Sequence, residues 1–237
     1  QDPIALGFTF TAPRVPMSSL PIWKQQTTGR LEMHSMRKGK RDTWIKTGIS
    51  LSNLREGIGR EFDPRQVRAV RDFLMACELG SGGLFGMREP LSMTMLHSPL
   101  LGYYLKGCID AGVELVDTVT KLPIIIEPEP AVPTINLTDT GDFIDVTAAL
   151  NHPSDPKDFL LIGKPSQLVF WDDGKLHMAF LEPVASEEWS YLRRKDVRVP
   201  TSEQDDFERD FLPALRVTGM IKTDGYELPL PPEPVLR

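Results

Sequence analysis

"LVFWDDGKLHMAF", residues 168–180, decides the class of this chain. Leu168 to Trp171 form a short apolar run. Asp172-Asp173-Gly174 follows, and Asp-Gly tolerates the left-handed backbone that a tight hairpin turn demands. Beyond the turn, Leu176, Met178 and Phe180 alternate with His177 and Ala179, the period of a strand. The apolar "FLLIGKP" (159–165) adds a strand just upstream. Downstream, "VPTSEQDDFERDFLPALR" (199–216) changes to helical spacing. Thr201 or Ser202 caps it, acidic residues suit the positive end of the helix, and Phe207, Phe211, Leu212 and Leu215 share one stripe. A helix is expected over about 202–212. A second antiparallel hairpin is expected in "VTGMIKTDGYELPL" (217–230), turning at Asp224-Gly225. Trp171 and Phe211 are expected to be buried, because both lie in apolar runs.

The same reading extends upstream. Residues 1–28, dotted with Pro3, Pro13, Pro16 and Pro21, read as an irregular arm or short edge strands. Leu31 and Met33 alternate with polar neighbours over 29–36, and "WIKTGISLSNLR" (44–55) reads as a strand followed by a helical turn capped by Ser50 or Ser52. Between them Met36-Arg37-Lys38-Gly39-Lys40-Arg41 forms the basic tip of a hairpin. Asp63-Pro64 opens a helix with Val67, Val70, Phe73, Leu74 and Cys77 on one face. Gly80-Ser81-Gly82-Gly83 ends it as a helix stop and hinge. Residues 90–112 read as a second helical stretch, capped by Ser92 and broken at Pro99. Strands are expected at 113–116, 124–126 and 142–150, with Pro128, Pro130 and Pro133 keeping their surroundings out of a central strand.

The class is therefore α+β: mixed short antiparallel hairpins with several packed helices, in two subdomains. The expected divisions are an arm over 1–28, an α+β subdomain over 29–150, a second over 151–228 with two hairpins and one helix, and a proline-rich connector over 229–237. The chain has 237 residues, 41% hydrophobic and 25% charged, ordinary values for a globular protein. It has no apolar run of the roughly 20 residues that span a bilayer, and no membrane partner is expected. Its two cysteines, Cys77 and Cys108, sit in apolar contexts and read as a buried thiol pair, with a disulfide as the alternative. That usage points to a reducing, cytoplasmic compartment.

Net charge is −6, yet it is unevenly spread: residues 1–60 carry +6 and the remainder −12. Such asymmetry can mark a phosphate-facing edge on an acidic body, or simply a solvated loop. The candidate nucleic-acid-binding residues are Arg37, Lys38, Lys40 and Arg41, flanked by Arg30 and Lys46. No catalytic or metal-ligating set is expected. His34, His97, His152 and His177 are scattered, without H-E-x-x-H or C-x-x-C spacing. There is no G-x-S-x-G elbow. Gly163-Lys164 imitates the end of a Walker loop, but Asp158 and Pro165 replace its glycine and its Ser/Thr.

Four stretches carry a family resemblance: "WIKTGISLSNLR" (44–55), "PLSMTMLHSPLLGYYLKGCIDAGVELV" (90–116), "DFLLIGKPSQLVFWDDGKLHMAFLEP" (158–183) and "FERDFLPALRVTGMIKTDGYELPLPPEPVLR" (207–237). Together they resemble the N-terminal region of actinobacterial DEAD/DEAH-box helicases of the SWI/SNF-related type. The resemblance implies a non-catalytic front module of a DNA-dependent ATPase, with "LPLPPEPVLR" (228–237) leading into further domains. The family's Walker loop, DEAD/DEAH box and arginine finger have no counterpart in 1–237, so no cofactor is expected here. ATP and Mg would belong to downstream ATPase domains of the same polypeptide, and DNA is the implied partner. The alternative is a protein–protein interaction or scaffold domain without nucleic-acid contact, which the overall acidity favours. Either way, calorimetry on residues 1–237 is expected to show no saturable ATP binding, because a phosphate cradle needs a glycine-rich loop, a helix start and an aimed lysine.

Overall fold

The computed structural model describes residues 3–12, 29–41, 43–46, 49–58, 61–80, 89–96, 98, 100–154, 156, 158–163, 167–182, 185, 187–193, 195–217 and 220–230. The fold is α+β, as expected, with helices packed against mixed sheets. Two compact units are present: Gln1–Glu129 with Pro156–Phe180, and Pro130–Asp155 with Leu181–Arg237. The expected division at 150/151 is therefore not the observed one. Segment 156–180 joins the first unit because Leu160, Ile162, Val169, Leu176 and Met178 share a single core with Leu6, Phe8, Leu31 and Phe73. Most of the connector, the hinge residues Ser81, Gly82 and Gly83, Lys164, His97, Pro99 and residues 13–28 lie outside the described residues.

The first unit is built on a five-stranded sheet. β1 (Ala5–Thr11) pairs antiparallel with β2 (Arg30–Lys38), which continues to β3 (Trp44–Lys46). On its other side β1 pairs parallel with β5 (Glu114–Asp117), and β4 (Leu91–Ser92) pairs with β2. The arm read as irregular thus contains an interior strand. Its residues Ile4, Leu6 and Phe8 are buried in the core, and that burial outweighs the nearby prolines. Helices α1 (Leu51–Glu56), α2 (Pro64–Gly80) and α3 (Leu101–Asp110) contribute Leu51, Leu54, Val70, Phe73, Leu74, Leu101 and Leu105 to the same core. Ser50 caps α1 as expected, its hydroxyl accepting from the Asn53 amide at 3.1 Å, a cap that contributes about 1 kcal/mol. Asp63 likewise accepts from the Arg65 amide at 2.8 Å as α2 begins.

The helix expected over 90–112 is shorter. Leu91 and Ser92 pair with Met33 and Glu32, Met93–Met95 make one tight turn, and Ser92 makes no capping bond. Strand pairing already satisfies that backbone, and it places Met93 fully in the core. Cys77 and Cys108 are both free and buried, and burial pushes the Cys108 thiol up to about 12.

A second sheet of this unit has the order β6 (Ile125–Ile126), β11 (Lys175–Phe180), β10 (Gln167–Asp172), β9 (Phe159–Ile162). The β10–β11 hairpin turns where expected, with Asp173 at φ 44° and Gly174 at φ 71°. Trp171 is nevertheless 41% exposed. Pairing of β9 with β10 ends at Phe159–Phe170, so Trp171 stands past the covered part of the sheet. Within this sheet His177 stacks on Phe170 and shares a 2.6 Å bond from Nδ1 with Glu127.

The second unit carries a sheet of order β12 (Val197–Pro200), β8 (Phe143–Asn151), β7 (Val132–Asp139), β13 (Met220–Asp224). Pro133 lies in β7, an interior strand, contrary to expectation. It is tolerated because, among the described residues, β13 pairs only from Thr134 onward, leaving Pro133 opposite Leu150 alone. The second hairpin does not form. β13 pairs parallel with β7, Gly225 turns at φ 68°, and no strand follows over 226–230. Instead Tyr226 is buried and donates to Glu208 at 2.7 Å. The expected helix is present over 201–216 as α5, but it widens to a π-type turn over Phe207–Phe211 just before Pro213. Pro213 has no N–H to give the Arg209 carbonyl and its ring crowds it, so the helix opens there. The wider turn rotates Phe211 off the apolar stripe; it is half-buried, while Phe207, Leu212 and Leu215 are buried.

Helix α4 (Glu187–Leu192) fastens this unit through Trp189, which is fully buried and donates Nε1 to the Thr134 and Ala149 carbonyls at 3.1 and 3.2 Å. Trp189→Ala is expected to cost about 3–5 kcal/mol, from the lost volume and the lost indole hydrogen bond, although the Ala149 carbonyl still accepts from the Thr134 hydroxyl. Urea unfolding followed by circular dichroism measures it.

Candidate nucleic-acid interface

The basic residues cluster because β2 and β3 form a hairpin whose end leaves the core. Buried positions run from Leu31 to Met36, with only Glu32 partly open, and stop there: Arg37, Lys38, Lys40 and Arg41 are all exposed. Gly39 donates to the Thr43 carbonyl at 2.8 Å and closes the turn. The root is held tightly. Trp44 is buried and donates Nε1 to Glu114 at 3.0 Å, and the Lys38 ammonium lies 5.4 Å from the Trp44 ring centre. A cation over an aromatic face adds about 0.5–1 kcal/mol at such a site.

Strand alternation divides these cations between two faces. The register sets Lys38 opposite Trp44 and Met36 opposite Lys46, so Arg30, Glu32, His34, Met36, Lys38, Trp44 and Lys46 share the face away from the helices. Arg37 belongs to the other face, with Leu31 and Met33. Arg30 pairs with Glu32 at 3.0 Å, and Lys46 donates to His34 Nε2 at 3.3 Å. The structure thus groups all six predicted residues on one hairpin and its root, although Arg30 stands at its far end opposite Thr11.

Two residues on this face escaped the sequence reading. His34 is 9% exposed, and burial, then Lys46, then Lys121 lower its pKa, while Glu32 opposes them. Lys121 follows β5 and donates to the Thr118 carbonyl. Thr118 Oγ1 lies 2.5 Å from Thr9 Oγ1 across the β1–β5 pairing. Period-two spacing from Lys38 back to His34 was a usable signal for the histidine. Lys121 carried none, because only the parallel pairing of β1 and β5 brings it near.

Elsewhere in this unit α2 and α3 frame a groove of about 880 Å³ lined by Arg65, Arg68, Asp72, Tyr103, Lys106 and Asp110 among others. Its charges are mixed, and Tyr103 is 75% exposed. Among the described residues, no group of three or more His, Cys, Asp or Glu could hold a metal, and no helix is long and apolar enough to cross a membrane. Comparison with protein-family models, with curated proteins and with solved structures gives no match.

The lowered pKa of His34 makes stability depend on pH. The unfolded chain binds the proton first, near pH 6.5, so stability contributed by neutral His34 is lost as pH falls through that value. His34→Gln is expected to flatten the fall in melting temperature between about pH 7 and pH 5 relative to the wild type, as measured by thermal denaturation.

Proposed function

We propose that this chain is a non-catalytic accessory module of a SWI/SNF-related, DNA-dependent ATPase, and that it touches the DNA backbone through the β2–β3 hairpin. The observation that carries the reading is the exposed cationic end, Arg37, Lys38, Lys40 and Arg41, rooted on buried Trp44. Short cationic loops of this kind neutralise phosphates and do not read base edges. Binding is therefore weak, independent of sequence and sensitive to salt. In this reading the module is cytoplasmic, holds no nucleotide of its own, and acts on ATPase domains joined to it in the same polypeptide, which would bring ATP and Mg. The resemblance in 44–55, 90–116, 158–183 and 207–237 supports that association.

A second reading, a protein-interaction or scaffold domain, is favoured by a different surface. Met75 and Leu79 on α2 and Leu100 and Tyr103 at α3 are exposed, and Tyr103 lines the mixed-charge groove. Exposed apolar side chains on a pair of helices suit a protein partner.

The two readings separate by fluorescence anisotropy with duplex and single-stranded DNA over a salt series. Replacing Arg37, Lys38, Lys40 and Arg41 with Ser is expected to lower the salt slope by about one unit for every phosphate that is no longer neutralised, with folding unchanged. Equal binding by wild type and variant rejects the hairpin tip as the contact, and no binding at low salt rejects the DNA reading.

A further inference from the structure

We propose that the face of the five-stranded sheet away from α1, α2 and α3 carries an oxyanion site built from Lys46, His34 and Lys121 with the hydroxyls of Thr9 and Thr118, and that its ligand is a phosphate group. The site shares Lys46 with the hairpin reading above but does not depend on the tip.

Its first support is the donor set. An ammonium can only donate, so the Lys46 contact at 3.3 Å makes His34 Nε2 an acceptor and places the ring proton on Nδ1. Thr9 and Thr118 lie 2.5 Å apart; one hydroxyl donates to the other, and the second keeps a proton to give. Lys121 is turned back by a left-handed backbone, φ 65°, and its ammonium is held at the Thr118 carbonyl. These groups come from β1, β2, β3 and the turn after β5. Across the sheet His34 is opposite Gly7, and Gly7 is opposite Val116, two residues before Thr118; the Met36 side chain lies over Gly7 and forms the apolar floor between them.

The second support is unbalanced charge. Among the described residues, neither Lys46 nor Lys121 has a carboxylate within ion-pair distance. Of the acids on this face, Glu32 pairs with Arg30, while Glu114 accepts from the Trp44 indole and keeps its charge, so Lys38, Lys46 and Lys121 still outnumber it. His34 and Thr118 are buried, at 9% and 6% exposure, so water screens this surplus poorly. Burial, Lys46 and Lys121 all disfavour the charged form of His34, which touches Lys46. An oxyanion reverses the local potential and draws a proton onto His34, which then adds a third cation. A tetrahedral phosphate, with several acceptor oxygens, can take bonds from both lysines, the imidazole and a threonine hydroxyl at once. The group can be a backbone phosphodiester or a free phosphate.

The test reads the His34 imidazole by proton NMR, assigned with His34→Gln. Sulfate serves as the probe, because its charge stays constant across the titration, with ionic strength held by chloride. Sulfate is expected to raise the His34 midpoint by about one unit. Lys46→Gln combined with Lys121→Gln is expected to weaken sulfate binding on the order of tenfold. An unmoved midpoint at high sulfate, or an undiminished shift in the double variant, overturns the proposal. Inorganic phosphate and a short DNA duplex are then compared. A His34 shift with both, or with the duplex alone, assigns the site to a strand; a shift with phosphate alone assigns it to a free anion. The Arg37, Lys38, Lys40 and Arg41 variant separates the two readings. If it binds DNA like the wild type while sulfate still moves His34, the tip reading falls and this one stands. If it loses DNA binding while sulfate leaves His34 unmoved, the reverse holds.

Discussion

Strand β1 lies between β2 and β5, antiparallel to one and parallel to the other, and the close packing around Gly7 makes that arrangement work. A Cβ at Gly7 would sit 2.6 Å from the Met36 side chain and 2.8 Å from Thr118 Cγ2, nearer than atoms can approach. With hydrogen there instead, Met36 folds across β1 into a small apolar group with Ala5, Trp44 and Val116. This group holds the hairpin root from one face while Leu6, Phe8, Leu31 and Met33 hold it from the other. Each fully buried side chain of that size contributes about 1.5–3 kcal/mol, so the sheet is clamped on both sides at its centre. The hairpin end can then be wholly polar at little cost to the fold.

The polar features close to this centre follow from the same clamp. Asp117 ends β5 at 1% exposure, and its carboxylate is satisfied by the amides of Val119 and Thr120 and the Thr120 hydroxyl. Those bonds shape the turn that returns Lys121 toward β1. A buried carboxylate without such partners would be costly, so the turn's conformation is set by the need to satisfy Asp117. The Ser35 hydroxyl, pointing into the opposite face, meets the Ile49 carbonyl and Glu89, and Glu89 also accepts from the Leu51 amide at 2.6 Å. The start of α1 is thereby tied to the strand that carries the basic hairpin.

The second unit solves a different problem. Its sheet has one antiparallel hairpin, β7–β8, and two added edge strands, β12 and β13. Trp189 bridges the two central strands through one indole N–H shared between their carbonyls. On the exposed edge Arg198 of β12 meets Asp145 of β8 and lies over Phe143. In α5 the π-type widening lets a proline sit inside a helical run without ending it.

Local chemistry was legible wherever one short segment determined its own shape. Asp173-Gly174 specified a hairpin, Ser50 and Asp63-Pro64 specified helix starts, and Arg37 to Arg41 specified an exposed basic tip, since each acts within a few residues. The α+β class followed from the changes in period. Features set by distant partners were not legible. Ala5–Thr11 became an interior strand because β2 and β5 cover both its edges. Asp224-Gly225 carried the same turn signal as Asp173-Gly174, yet β13 found a parallel partner in β7 and Tyr226 found Glu208. Segment 156–180 entered the first unit because its apolar face completes that unit's core. Lys121 comes near enough to influence His34 only because a parallel pairing joins segments far apart in the chain. Turns and caps are stabilised locally by hydrogen bonds, whereas strand partners and shared cores are chosen by burial, which depends on the whole fold.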